Sequence, residues 1–449
     1  SALPGVNIQS YSMGQTVKGG CCTTDGNPGS DFSGCSPFPG ICVDESKNKI
    51  NKSDWSTLLD SSKMDVIRLP VHPLRIIKNK PSSKNVEWCG TWNYGEPKCD
   101  SGIWINTDEY GYMSVLKEFL EKYPTKFFII DIHDNVNGLS VKWSDTDSGF
   151  DSDSLYYFWQ AVADYVNDNL TAEQSSRVLF EIYNEPRNGN EFTNTTYAET
   201  QASIVQYCID NDYPNICLVG TYGNYTSIKT MGTKIGSNND TLTELITALQ
   251  TNVAPKIDSG TTIANSLNSG ILIVFHQYCN GDGENQNGQH YLSGQGVGCS
   301  DTLFSTSEMD DWIDPIKTLI DDNEFYICQT EGNVMVSKRE NFQQVAPVYT
   351  VCEDVPNGDL YPTFLNKCTE KFGSSYKFYT LWSVNQWGIA ASNPGGDLWN
   401  PIYAESDDNN INTYSYGCIY GNTGNTYITA GGKSGFNNAE IPDLTKLQK

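Results

Sequence analysis

Short apolar runs bounded by polar, glycine-containing turns recur along the chain and alternate with segments whose apolar residues repeat at helical spacing. Eight such runs read as strands: 5–11, 64–70 (MDVIRLP), 126–133 (KFFIIDIH), 178–185 (VLFEIYNE), 216–222 (ICLVGTY), 270–278 (GILIVFHQY), 325–331 (FYICQTE) and 377–382 (KFYTLW). Between them Leu155, Phe158, Trp159, Val162 and Val166 fall at i, i+3, i+4, i+7 and i+11, one face of a helix. Met113, Leu116, Phe119 and Leu120 do the same one unit earlier. Apolar strands separated by amphipathic helices are the pattern of parallel βα units, in which helices cover the sheet. Eight of them is the number that closes an α/β (β/α)8 TIM barrel, with its chemistry at the C-terminal ends of the strands. The 449 residues are therefore read as one barrel domain, 1–449. Residues 388–449, rich in Gly and Asn with weak periodicity, are read as irregular closure, with a small appendage left open.

The longest irregular segments, 12–54, 71–110 and 280–305, all follow the C-terminal end of a strand, so the active face carries long loops. Ten of the 14 cysteines lie in or beside these loops or at Cys208 and Cys217, and none forms a C-x-x-C pair. With four histidines in the chain, metal fingers are excluded in favour of disulfide-stapled loops. Close spacing suggests Cys89 with Cys99, Cys208 with Cys217 and Cys279 with Cys299. Five N-x-[ST] sequons, at Asn51, Asn169, Asn194, Asn224 and Asn239, suit the same oxidising route. The chain opens at Ser1 without Met or an apolar leader, and is read as a mature secreted glycoprotein. Lys and Arg number 29 against 54 Asp and Glu, a net charge of −25, the wrong sign for nucleic acid or an anionic membrane. A mean hydropathy of −0.45, with no apolar run long enough to span a bilayer, points the same way, to a soluble monomer with a neutral partner.

Two predicted strands end in a carboxylate: strand four in Asn184-Glu185-Pro186 and strand seven in Thr330-Glu331-Gly332. Either glutamate alone reads as a solvated strand-end residue. A barrel brings both to one face, and two opposed carboxylates are the minimum equipment for glycoside hydrolysis.

At this point the chain resembles the family-five glycoside hydrolases. Their order of an Arg on strand two, a His on three, Asn-Glu on four, His-x-Tyr on six, Glu on seven and Trp on eight is met here. The matching residues are Arg68, His133, Asn184 with Glu185, His276 with Tyr278, Glu331 and Trp382. The resemblance covers about 5–388 and implies a retaining enzyme without cofactor or metal. It implies Glu185 as acid/base, kept protonated by burial and a second carboxylate, and Glu331 as ionised nucleophile. Arg68 and Tyr278 would stabilise that anion, Asn184 would bind the sugar 2-hydroxyl, and His133 and His276 would orient neighbours. Trp382 would stack on the reacting sugar. His72 and His290 have no such context.

Trp88, Trp92, Tyr94, Trp104 and Trp143 stand in the loops after strands two and three, as sugar platforms or as packing that replaces a loop core. Asp134 and Asn135 are read as turn residues. The expected function is a secreted endo-β-1,4-glucanase acting on cellulose-like polysaccharide. A β-mannanase or β-1,3-glucanase is the alternative on the same scaffold, and a catalytically silent carbohydrate-binding barrel the alternative from another class. A metal-dependent hydrolase is disfavoured because His133 and His276 lack the surrounding ligand cluster.

Overall fold

The computed structural model describes residues 2–8, 64–71, 76, 105, 107, 112–132, 135–136, 139–140, 152–186, 194–222, 227–232, 241–253, 270–280, 306–336, 360–384, 404–405 and 415–417. Most of the three long loops, with His72, His133, Asp134, His290, the five loop aromatics, the Cys89–Cys99 pair and Cys299, lies outside them.

Eight strands run in chain order: β1 (Leu3–Ile8), β2 (Val66–Val71), β3 (Phe127–Ile132), β4 (Val178–Glu181), β5 (Cys217–Val219), β6 (Ile271–Asn280), β7 (Ile327–Val336) and β8 (Tyr376–Val384). Each pairs with the next, and β8 pairs with both β7 and β1, so these eight strands close on themselves. The β1–β8, β1–β2, β3–β4, β4–β5 and β5–β6 ladders are parallel. Helices follow strands two to seven: α1 (Tyr112–Lys122), α2 (Ser152–Asn169), α3 (Ala172–Ser176), α4 (Asn194–Asp210), α5 (Ile228–Met231), α6 (Thr241–Asn252), α7 (Thr306–Asp322) and α8 (Leu360–Phe372). This is a closed (β/α)8 barrel. None of the described helices is long and apolar enough to cross a membrane.

The chain divides into two compact units. One comprises Pro70–Phe275 and Pro315–Cys328. In it the apolar faces foreseen from periodicity are the buried faces: Leu155, Phe158, Trp159, Val162 and Val166 of α2 are fully buried, as are Met113, Leu116, Phe119 and Leu120 of α1. Thr171 and Gln174 close a capping box at the start of α3, satisfying amides that the helix cannot. Arg177, also buried, donates to the carbonyls of Leu120, Tyr123 and Lys126 at the end of α1. The Cys208–Cys217 disulfide expected from spacing is not formed. The two sulfurs lie 4.0 Å apart in a thiol hydrogen bond, about twice the length of an S–S bond. That bond and burial hold the Cys217 thiol well above its ordinary pKa, so it stays a protonated thiol. Asn135, read as a turn residue, instead opens a two-residue strand paired with Leu139–Ser140.

The other unit comprises Ser1–Leu69, His276–Asp314 and Gln329–Lys449. β1 is pressed between β2 and β8, and a Cβ at Gly5 would run into Val66 O and Thr380 Cγ2, so only glycine fits. Two short strands from the Gly- and Asn-rich C-terminal stretch, β9 (Ala404–Glu405) and β10 (Ser415–Gly417), pair antiparallel. β10 adds to β7 at Met335 and Val336. That addition explains why β7 runs five residues beyond Glu331, where the sequence pattern ended it.

Candidate active site

In the second of these units, β1, β2, β6, β7 and β8 converge on Glu331, which is 6% exposed. Arg68, fully buried, donates from Nη1 to Glu331 Oε2 at 3.0 Å. Tyr278 donates its phenol hydrogen to the other oxygen, Oε1. His276 and Tyr278, two apart on β6, share a face, and His276 Nδ1 lies 3.6 Å from Oε2. The other nitrogen of His276 shares a hydrogen bond with Thr330 Oγ1 at 2.9 Å, which fixes the ring. Each carboxylate oxygen thus faces its own donor, one of them cationic, an arrangement that favours the ionised acid.

In the first unit, β4 ends at Glu181, short of the expected end at Glu185. The backbone beyond it remains fastened to both sides: Ile182 N donates to Leu218 O at 3.2 Å, and Asn184 N to Ile132 O at 2.8 Å. Trp159 of α2 donates its indole N–H to Ile182 O at 2.9 Å. Asn184 and Glu185 are therefore carried on a short segment tethered on both sides, and Glu185 is 8% exposed. Burial disfavours charge on a carboxyl, the condition a general acid requires. Pro186, which has no N–H, follows directly. Trp382 stands on β8.

Against protein-family models, residues 24–352 match the cellulase model of glycosyl hydrolase family 5. The chain belongs to glycosyl hydrolase family 5. This family 5 glycoside hydrolase also resembles solved structures. One is an endo-β-1,4-glucanase of Xanthomonas axonopodis pv. citri carrying three substitutions, at 15% identity and TM-score 0.50, covering 85% of this chain and 89% of that one. Another is Cel5A (EG2) of Hypocrea jecorina (Trichoderma reesei), at 16% identity and TM-score 0.47, covering 89% and 95%. No curated protein sequence matches significantly. At 15% identity the likeness to the Xanthomonas enzyme speaks for the fold alone.

The structure of this family 5 hydrolase adds residues around Glu331 that the motif reading passed over. Asn7, Thr330 and Thr380 join the network of Arg68 and His276, and Gln329, two residues before Glu331 on β7, donates to Tyr361 OH at 2.6 Å and to Glu331 O at 3.2 Å. A Cβ on Gly332 would collide with Gln329 Nε2, Gln277 O and Tyr361 OH, so the residue after Glu331 has to be glycine. The signal available in sequence was the run Gln329-Thr330-Glu331-Gly332-Asn333, polar throughout where the pattern of buried strands predicts apolar residues.

Proposed function

We propose that this enzyme is a secreted endo-β-1,4-glucanase that cleaves cellulose-like polysaccharide with retention of anomeric configuration. The observation that carries the proposal is the state of Glu331, a buried carboxylate with a guanidinium on one oxygen and a phenol on the other. A carboxylate so held is favoured in its ionised form, aimed, and shielded from bulk water, which suits attack on an anomeric carbon. In the first step Glu331 would bond to C1 while Glu185 protonates the departing glycosidic oxygen. In the second, Glu185 would take a proton from water as that water displaces Glu331. Asn184, beside Glu185, would hydrogen-bond the sugar 2-hydroxyl, and Trp382 and His133 would complete the reaction subsite. Secretion is supported by the cysteine number and the sequons. The β-1,4-glucan specificity is supported by family membership and by the likeness to the Xanthomonas endo-β-1,4-glucanase.

The test is incubation with carboxymethyl-cellulose, mannan, laminarin and xyloglucan, with product sizing and proton NMR of the first anomer released. Long products from carboxymethyl-cellulose, released as the β-anomer, are expected. Preferential cleavage of mannan or laminarin would transfer the assignment to the corresponding glycanase, and an α-anomer would make the mechanism inverting. Glu185→Gln and Glu331→Gln should each lower kcat by a factor on the order of a thousand or more while the fold persists. Azide should partly restore turnover of an activated aryl glycoside by Glu331→Gly.

A further inference from the structure

Asn7 is fully buried near the end of β1, outside the motif that identifies the family, and its side chain ties four strands together. Its Nδ2 donates to Thr330 O of β7 at 2.9 Å, and to Thr380 Oγ1 and Leu381 O of β8 at 3.3 Å each. The Thr380 hydroxyl spends its own hydrogen on Thr330 O, so its oxygen is an acceptor toward Asn7. Three acceptors on one side fix which end of the amide is nitrogen, and the opposite end, Oδ1, must then face β2. There it accepts from Arg68 Nη1 at 2.8 Å, the same nitrogen that donates to Glu331 Oε2 at 3.0 Å. A guanidinium Nη carries two hydrogens, and these two acceptors use both.

Backbone register explains how Asn7 reaches so far. It lies opposite Arg68 in the parallel β1–β2 ladder. In the β1–β8 ladder, Val6 faces Leu381 but Ile8 faces Val384, so β8 carries one residue more than β1 at the level of Asn7. The amide fills that irregularity by taking the Leu381 carbonyl, one residue before Trp382.

We propose that Asn7 is a positioning residue for the displacement reaction: it sets the rotation of the Arg68 guanidinium so that Nη1 is aimed at Glu331. This rests on the assignment of Glu331 as nucleophile. Without Oδ1, a buried N–H of Arg68 loses its acceptor, the guanidinium turns to other oxygens, and charge on Glu331 is less well stabilised. Among the described residues of this unit, the charged and titratable groups facing Glu331 include Arg68 from β2 and His276 and Tyr278 from β6.

The experiment compares wild type, Asn7→Ala and Glu331→Gln on an aryl β-cellobioside across pH. It also follows trapping by a 2-deoxy-2-fluoro aryl cellobioside, read by intact-protein mass. For Asn7→Ala, kcat should fall by about ten- to a hundredfold with KM within about threefold. The acid limb of kcat/KM should move up by about half a pH unit or more, and trapping should slow in parallel. An acid limb left at the wild-type pH overturns the proposal whether or not kcat falls, because a purely structural role would lower stability without moving it. If Asn7→Ala does not fold, Asn7→Ser is read by the same criterion. Its hydroxyl can still serve the neighbouring carbonyls but is too short to reach Arg68. Full activity in Glu331→Gln would overturn the nucleophile assignment itself, an outcome distinct from an unmoved limb in the Asn7 variants.

Discussion

Glu331 and its two donors come from strands far apart in the chain, and each donor contributes something different. Arg68 brings charge, and Tyr278 brings a neutral, directional hydrogen. Preorganised donors of this kind are worth about a hundredfold or more in rate when removed singly. Tyr278→Phe should therefore lower kcat by about a hundredfold, with little change in thermal stability, when assayed on an aryl cellobioside. Wild-type kcat in that variant would show that the phenol only packs. Burial pushes the phenol of Tyr361, which accepts from Gln329, well above its ordinary pKa, which favours the neutral form. The residue types of Arg68, Tyr278 and Glu331 could be placed from sequence because a motif orders them. Asn7 could not, because Asn at the end of a short apolar strand is as readily a turn former.

At the scale of elements, helix ends and helix pairs depend on a few long polar side chains. Arg177 satisfies three carbonyls at the end of α1 and also pairs with Glu173. The carbonyls dominate, since they are buried whereas Glu173 is 64% exposed and its pair is screened by water. Arg177→Ala should cost about 2–3 kcal/mol in denaturant titration, and Glu173→Gln only a small part of that. Equal losses would reverse that ranking. On α7 and α8, Lys367 donates to both oxygens of Asp310 at 2.9 and 3.1 Å, and Lys371 pairs with Asp314 at 2.9 Å. The Lys367 hydrogen bond holds the Asp310 carboxyl below its ordinary pKa, and Asp314 raises that of Lys371. A depressed acid stabilises above its unfolded pKa and loses that contribution as pH falls through the folded one. A raised lysine stabilises below its unfolded pKa and loses it as pH rises through the folded one. The Tm deficit of Asp310→Asn should accordingly be small and level between about pH 5 and 9, and should close by about pH 2. A deficit that persists in acid would mean that packing, not charge, is responsible.

The whole molecule carries 29 cationic against 54 anionic side chains, so at neutral pH its folded form repels itself. Raising NaCl from about 20 to 300 mM at pH 7 should lift Tm by a few degrees, because the screening length falls from about 20 Å to below 10 Å. Near pH 4.4, where the net charge vanishes, the same salt change should do little, and an equal rise there would point to ion exclusion rather than screening. As for what could be read without coordinates, the eight strands and the buried faces of α1 and α2 were legible because apolar periodicity is local. A strand or helix registers its environment every two or 3.6 residues. The sequence by itself therefore determined the barrel, the order of its strands and the chemical types at their ends. Tertiary structure alone decided what each of those groups meets. Asn7 reaches Arg68 across 61 residues, and Arg68 reaches Glu331 across 263. β7 continues past Glu331 because a strand from 415–417 pairs with it, and Cys208 and Cys217 remain thiols at 4.0 Å despite their spacing. Such partners are set by strand register and by closure of the sheet, which depend on the whole ladder of hydrogen bonds and leave no mark on periodicity within any one segment.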